Sequence, residues 1–103
     1  MEPRIPIDLA KIKGFCEKWK ITEFSLFGSV LTDDFRPDSD VDVMVTFEKN
    51  AHWTLLHIVE MEEELKAIFA RDVDLVTRKS VVSDPNYLMR RSILSNTRSL
   101  YAA

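Results

Sequence analysis

Asp40 and Asp42 lie two residues apart in a stretch that alternates sharply, with Val41, Val43, Val45 and Phe47 one way and Asp40, Asp42, Met44 and Thr46 the other. A period of two is the signature of a strand, so both carboxylates project from one face while the valines bury the opposite one. A second carboxylate stretch follows at Val73-Asp74-Leu75-Val76-Thr77. If that strand runs beside the first and both bury their apolar faces, Asp74 joins Asp40 and Asp42, with Asp72 as the competing same-face choice. Three carboxylates on one small surface repel one another unless a cation lies among them. Oxygen-only ligands of this kind suit Mg²⁺ or Mn²⁺ rather than Zn²⁺.

Gly28-Ser29 supplies the other half of a candidate site. It follows the short aromatic strand Glu23-Phe24-Ser25-Leu26-Phe27 and precedes a helical turn expected over residues 29–34. Glycine lets the backbone approach a ligand closely, and N–H groups at the start of the turn can receive phosphate oxygens together with the Ser29 hydroxyl. Phosphate at Gly28 and Ser29, with two metal ions at Asp40, Asp42 and Asp74, is an arrangement for in-line phosphoryl or nucleotidyl transfer. The plainer readings are a solvated strand face for the aspartates and an ordinary capped turn for Gly28-Ser29. An Asp-x-Asp metal site of a glycosyltransferase is a further reading. It leaves Gly28-Ser29 without a role and asks for a longer chain.

The surrounding elements must place these residues. A helix is expected from Ile7 to Lys20 on the spacing of Leu9, Ile12, Cys16 and Trp19. A longer one is expected over His52 to Arg71, with Leu55, Ile58, Leu65, Ile68 and Phe69 as its apolar stripe. Arg36-Pro37-Asp38-Ser39 reads as a turn. A last helix is expected over Asn86 to Leu100, with Asp84 as cap and Pro85 in the first turn. The fold class is therefore α/β (α+β). It is a small mixed sheet of at least three strands with helices on one face, leaving the aspartate face open.

The bulk properties limit what this site can serve. With 103 residues the chain is expected to be one domain, 1–103. Its 14 basic and 17 acidic side chains give a net charge of −3, which disfavours broad nucleic-acid binding and leaves phosphate to be held locally. The single cysteine, Cys16, excludes an intrachain disulfide and reads as a core residue. No apolar run reaches membrane-spanning length, so a cytoplasmic protein without membrane contact is expected. His52 and His57 have no nucleophile to pair with, and Glu60 to Glu64 reads as a solvated helix face.

Leu26-Phe27-Gly28-Ser29, ten residues, then Asp40-Val41-Asp42 resembles the signature of the minimal nucleotidyltransferase (MNT) family. This is a compact branch of the DNA polymerase beta-like nucleotidyltransferases, with a palm-like fold. The resemblance extends from about Phe24 to Tyr101 and includes Val73–Thr77 as the strand of the third carboxylate. It implies a MgATP-dependent protein adenylyltransferase that acts as the antitoxin of a toxin–antitoxin pair. The partner would be a HEPN-domain ribonuclease toxin, bound as a hetero-oligomer and silenced by transfer of AMP to one of its tyrosines. The alternative is an antitoxin that silences its HEPN partner by binding alone. The family commonly reads Gly-Ser-x-Ala-Arg-Gly, whereas this chain has Gly28-Ser29-Val30-Leu31-Thr32-Asp33. Thr32 stands where a basic residue is usual and Asp33 replaces a glycine. Arg36 and Arg78 are the candidate replacements for that lost charge.

Overall fold

A computed structural model describes residues 5–33, 35–36 and 38–103. Positions Asp34 and Pro37, within the expected turn segments, lie outside the described residues, as do residues 1–4 of the expected domain. Helix α1 (Leu9–Lys18) starts at Asp8, whose side chain accepts from the Lys11 N–H, and it buries Ile12, Phe15 and Cys16. Lys20, at φ 56°, turns the chain into β1 (Ile21–Phe27). A 3₁₀ turn (Gly28–Leu31) follows, then β2 (Val41–Phe47), α2 (Leu55–Phe69) and β3 (Val73–Thr77). The chain closes with α3 (Arg78–Val82), α4 (Tyr87–Ser95) and β4 (Thr97–Ala102).

Among the described residues, four strands form one mixed sheet in the order β3-β2-β1-β4. β1 pairs antiparallel with β2 and β4, whereas β2 and β3 are parallel and joined through α2. That crossover is the usual way to connect parallel neighbours. Phe24 and Leu26 of β1, Val41, Val43 and Val45 of β2, and Val73 and Leu75 of β3 pack against Ile12 and Phe15 of α1 and Met61 and Leu65 of α2. The two helices are tied together at Glu64, which accepts from Lys18 Nζ and from Trp19 Nε1, each at 2.6 Å. Of the expected α2 stripe, Leu65 and Phe69 are buried and Ile58 and Ile68 pack against the core, joined by Met61, while Leu55 is 79% exposed. Thr54 N–H donates to His57 Nδ1 there, so His57 serves as part of the helix start.

Three expectations are corrected. The last helix ends at Ser95, and Thr97–Ala102 is a strand paired with β1 instead of the end of that helix. Local periodicity favours the helix, but β1 has an open edge whose N–H and C=O groups need partners. The helix is capped by Asn86, which accepts from Met89 N–H, while Asp84 accepts from Asn86 N–H. In addition, the aspartate face is not wholly open. Val81 of α3 and Ile93 and Leu94 of α4 pack on Phe27, Met44 and Val76, covering that face beyond the carboxylates. Among the described residues, no helix is long and apolar enough to cross a membrane.

Candidate active site

The acidic residues meet at the end of the sheet where β2 and β3 begin and β1 ends. Asp40 immediately precedes β2, and Asp42 is its second residue. Asp42 pairs in register with Asp74 of β3 on one side and with Phe27 of β1 on the other. In a parallel pair, in-register side chains share a face, so Asp42 and Asp74 stand side by side. Gly28 follows Phe27 directly and so comes up against Asp42. It has φ 78°, and a Cβ there would collide with Asp42 Oδ2 and lie 3.3 Å from Asp42 Cγ. Glycine is therefore required twice, for its backbone conformation and for space.

Asp42 is half-buried between these neighbours, and its carboxyl is pushed up to about 6. Burial is the largest cause, followed by the charges of Asp74 and then Asp40. Asp40 and Asp74 themselves are exposed. A cation among the three would reverse this effect by favouring the ionised form. Among the described residues, no three acidic, histidine or cysteine side chains close into a metal cage by themselves. Asp74 and Asp40 do lie near enough to Asp42 for their charges to act on its carboxyl. That donor set fits Mg²⁺, which takes one or two carboxylates and completes its shell with phosphate and water.

Asp72, the competing carboxylate, lies 3.5 Å from Lys66 Nζ and contributes its carbonyl to Val41 N–H. It is bound into the sheet edge rather than set beside Asp42. Ser29 is half-buried in the 3₁₀ turn, and no side chain caps the start of that turn. Thr32 closes it, donating from both its N–H and its hydroxyl to Ser29 O at 2.9 and 3.0 Å. Arg78 pairs with Glu23 at 3.2 Å, at the opposite end of β1 from Gly28. It does not replace the missing basic group. Arg36 is exposed, and its carbonyl accepts from Arg71 Nη1 at 3.2 Å. Cys16 is fully buried, with its thiol pushed up to about 12 by burial and then by Glu17, and takes no part.

Sequence reasoning expected the helix that contains α4 but not its position beside Gly28. A groove of about 300 Å³ beside Gly28 is lined by Phe27, Leu31 and Thr32 from one side and Ser92, Ile93 and Asn96 from the other. Nothing local in the sequence connects residues 92–96 with Gly28. Their proximity follows from α4 crossing the sheet face.

Acidic residues on a mixed sheet thus lie against a glycine-serine turn. Residues 10–100 match the nucleotidyltransferase domain family. This chain belongs to that family and is a nucleotidyltransferase. The protein adenylyltransferase MntA of Thermococcus cleftensis is 39% identical over 71 residues, 69% of this chain and 70% of that one. The first curated relatives are matched over 65% and 70% of their own length. Among solved structures, a chain of a toxin–antitoxin crystal structure with AMP-PNP superposes with a TM-score of 0.71 at 20% identity, covering 94% of this chain and 75% of that one. A chain from the complex of the tri-AMPylated Shewanella oneidensis HEPN toxin with MNT antitoxin gives 0.63 at 20% identity, covering 92% and 70%. At these identities the structural likeness establishes the fold alone.

Proposed function

We propose that this domain is a MgATP-dependent protein adenylyltransferase that acts in the cytoplasm as an antitoxin, transferring AMP to a tyrosine of a partner HEPN toxin. The observation that carries this reading is the contact of Gly28 with Asp42, which is itself in register with Asp74. It supports a site in which the turn at Gly28 takes phosphate beside the carboxylates. The name of the Thermococcus relative and the AMPylated toxin in the Shewanella complex support the acceptor class.

Gly28 admits the triphosphate to the turn, where backbone N–H groups and the Ser29 hydroxyl hold its oxygens. Two Mg²⁺ ions, when bound, would be held by Asp40 and Asp42 together and by Asp74 on the acceptor side, and would neutralise phosphate charge and acidify the acceptor hydroxyl. The tyrosine oxygen forms a bond to the α-phosphorus. The bond from that phosphorus to the bridging oxygen breaks, and pyrophosphate leaves with the electron pair. Asp74, exposed beside Asp42, accepts the phenolic proton. The domain is small, so the partner presents the acceptor. Apolar side chains exposed on α2 and α4, including Leu55, Leu56 and Leu88, offer surface for a hetero-oligomer.

The test is incubation with labelled ATP, Mg²⁺ and the HEPN partner. Label should pass to the toxin with wild type and not with Asp40→Asn plus Asp42→Asn. The observation that favours binding alone is Thr32-Asp33 in place of the family's basic residue and glycine. A wild-type protein that silences the toxin without transferring label would establish that second reading and end the first.

A further inference from the structure

We propose that Lys66 is a positioning residue of the metal site, whose ammonium keeps Asp72 out of the group of carboxylates that takes the metal. This rests on the metal-binding reading above and adds a residue of α2 to it. The pairing of β2 with β3 sets Asp42 beside Asp74 and Val41 beside Val73. Val41 N–H also donates to Asp72 O at 2.9 Å, so the ladder runs on past Val73. Continued by one residue, that register brings Asp40 level with Asp72. Asp40 and Asp42 are two apart, as are Asp72 and Asp74, so by pleat alternation the four fall on one face. The backbone therefore offers four carboxylates where the proposed site uses three.

The fourth is diverted by α2. Lys66 Nζ lies 3.5 Å from Asp72 Oδ1 and 3.6 Å from Glu63 Oε1. Leu65, the residue before it, is fully buried in the core, which fixes the helix turn from which Lys66 projects. The Asp72 side chain is 74% exposed, so packing does not set its direction, and among the described residues Lys66 is its ion-pair partner. A carboxylate held by an ammonium is a poor metal ligand, because the metal must approach against a like charge. Released, Asp72 has room to move. It lines a hollow of about 460 Å³ together with Lys66 and with Ser39, the residue before Asp40. A free fourth carboxylate there would compete with phosphate oxygens for the coordination positions of Mg²⁺ and add charge that repels a triphosphate.

The test is binding of Mn²⁺ alone, read by the electron spin resonance of the free ion, on wild type and on variants of unchanged circular dichroism. Asp72→Asn should bind Mn²⁺ like wild type, because that carboxylate is already engaged. Lys66→Met should bind it about twofold to fivefold more tightly, the scale of one exposed charge interaction. Adding Asp72→Asn to Lys66→Met should reverse most of that gain, and Lys66→Arg, which keeps the charge, should behave as wild type. Lys66→Met that binds Mn²⁺ no more tightly than wild type overturns the proposal. An effect of Asp72→Asn that is equal with and without Lys66 overturns it as well, since Lys66 would then act only by its charge at a distance. Wild type that binds no Mn²⁺, or binds it unchanged after Asp40→Asn plus Asp42→Asn, overturns the metal reading itself and the role of Lys66 with it.

Discussion

Gly28 and Asp42 are packed so closely that Gly28 has no room for a side chain: a Cβ would occupy the position of Asp42 Oδ2. The strand pairing of Phe27 with Asp42 enforces this approach, and the φ of 78° then turns the chain away into the 3₁₀ turn. The Gly28 turn and the strand that carries Asp42 are therefore one mechanical unit.

Gly28→Ala tests that unit. The left-handed conformation costs a non-glycine residue about 1–2 kcal/mol, and the displaced Asp42 carboxylate adds to it. Transfer of AMP should fall by about 100-fold or more, the scale of a small misplacement at a reacting centre. The melting temperature should drop as well. Near-normal transfer by Gly28→Ala would show that the close contact is not part of the site.

Asp42 gives a pH dependence whose sign can be worked out. Its carboxyl is raised from 3.8 to about 6, so the folded state holds the proton more tightly than the unfolded chain. The resulting penalty on the metal-free fold is absent below pH 3.8, grows up to about 6 and is complete above it. Asp42→Asn should therefore stabilise the metal-free protein at pH 7.5. With Asp42 only half-buried, we expect about 1 kcal/mol after solvent screening. Mg²⁺ should raise the melting temperature of wild type and leave Asp42→Asn unchanged. Thermal melts at pH 4.5 and 7.5, with and without Mg²⁺, check both parts.

Glu64 is the carboxylate that holds α1 to α2. Glu64→Ala leaves the Trp19 indole N–H without its partner in a buried position, at an expected cost of about 1–3 kcal/mol. Urea unfolding followed by tryptophan fluorescence should show it. Lys18→Ala should cost well under half as much, since an exposed ion pair contributes about 0–1 kcal/mol.

Gly14 provides a neutral control. It lies inside α1 on the exposed side, and a Cβ there would meet nothing within 4 Å. Gly14→Ala should stabilise the fold by about 0.5–1 kcal/mol through helix propensity and the unfolded state. Transfer activity should be unaffected, because α1 packs on the face opposite the site.

By itself the sequence determined the elements whose residues carry a strong local period. The valine–aspartate alternation defines β2 and sets Asp40 and Asp42 on one face, and Gly28 after an aromatic run marks the end of β1. Those signals are local, because side-chain direction in a strand depends only on the backbone pleat. Only tertiary structure shows which of Asp74 and Asp72 lies beside Asp42, since both fall on the same face by sequence alternation. The register of β3 against β2 puts Asp74 beside Asp42, and Lys66 holds Asp72. It also decided Thr97–Ala102, where the unpaired edge of β1 outweighs a weak helical pattern. Finally, it folded α4 over the aspartate face and formed the groove at Ser92, Ile93 and Asn96 beside Gly28. Contacts between residues more than sixty positions apart leave no period in the sequence, because they come from strand order and packing rather than from neighbouring residues.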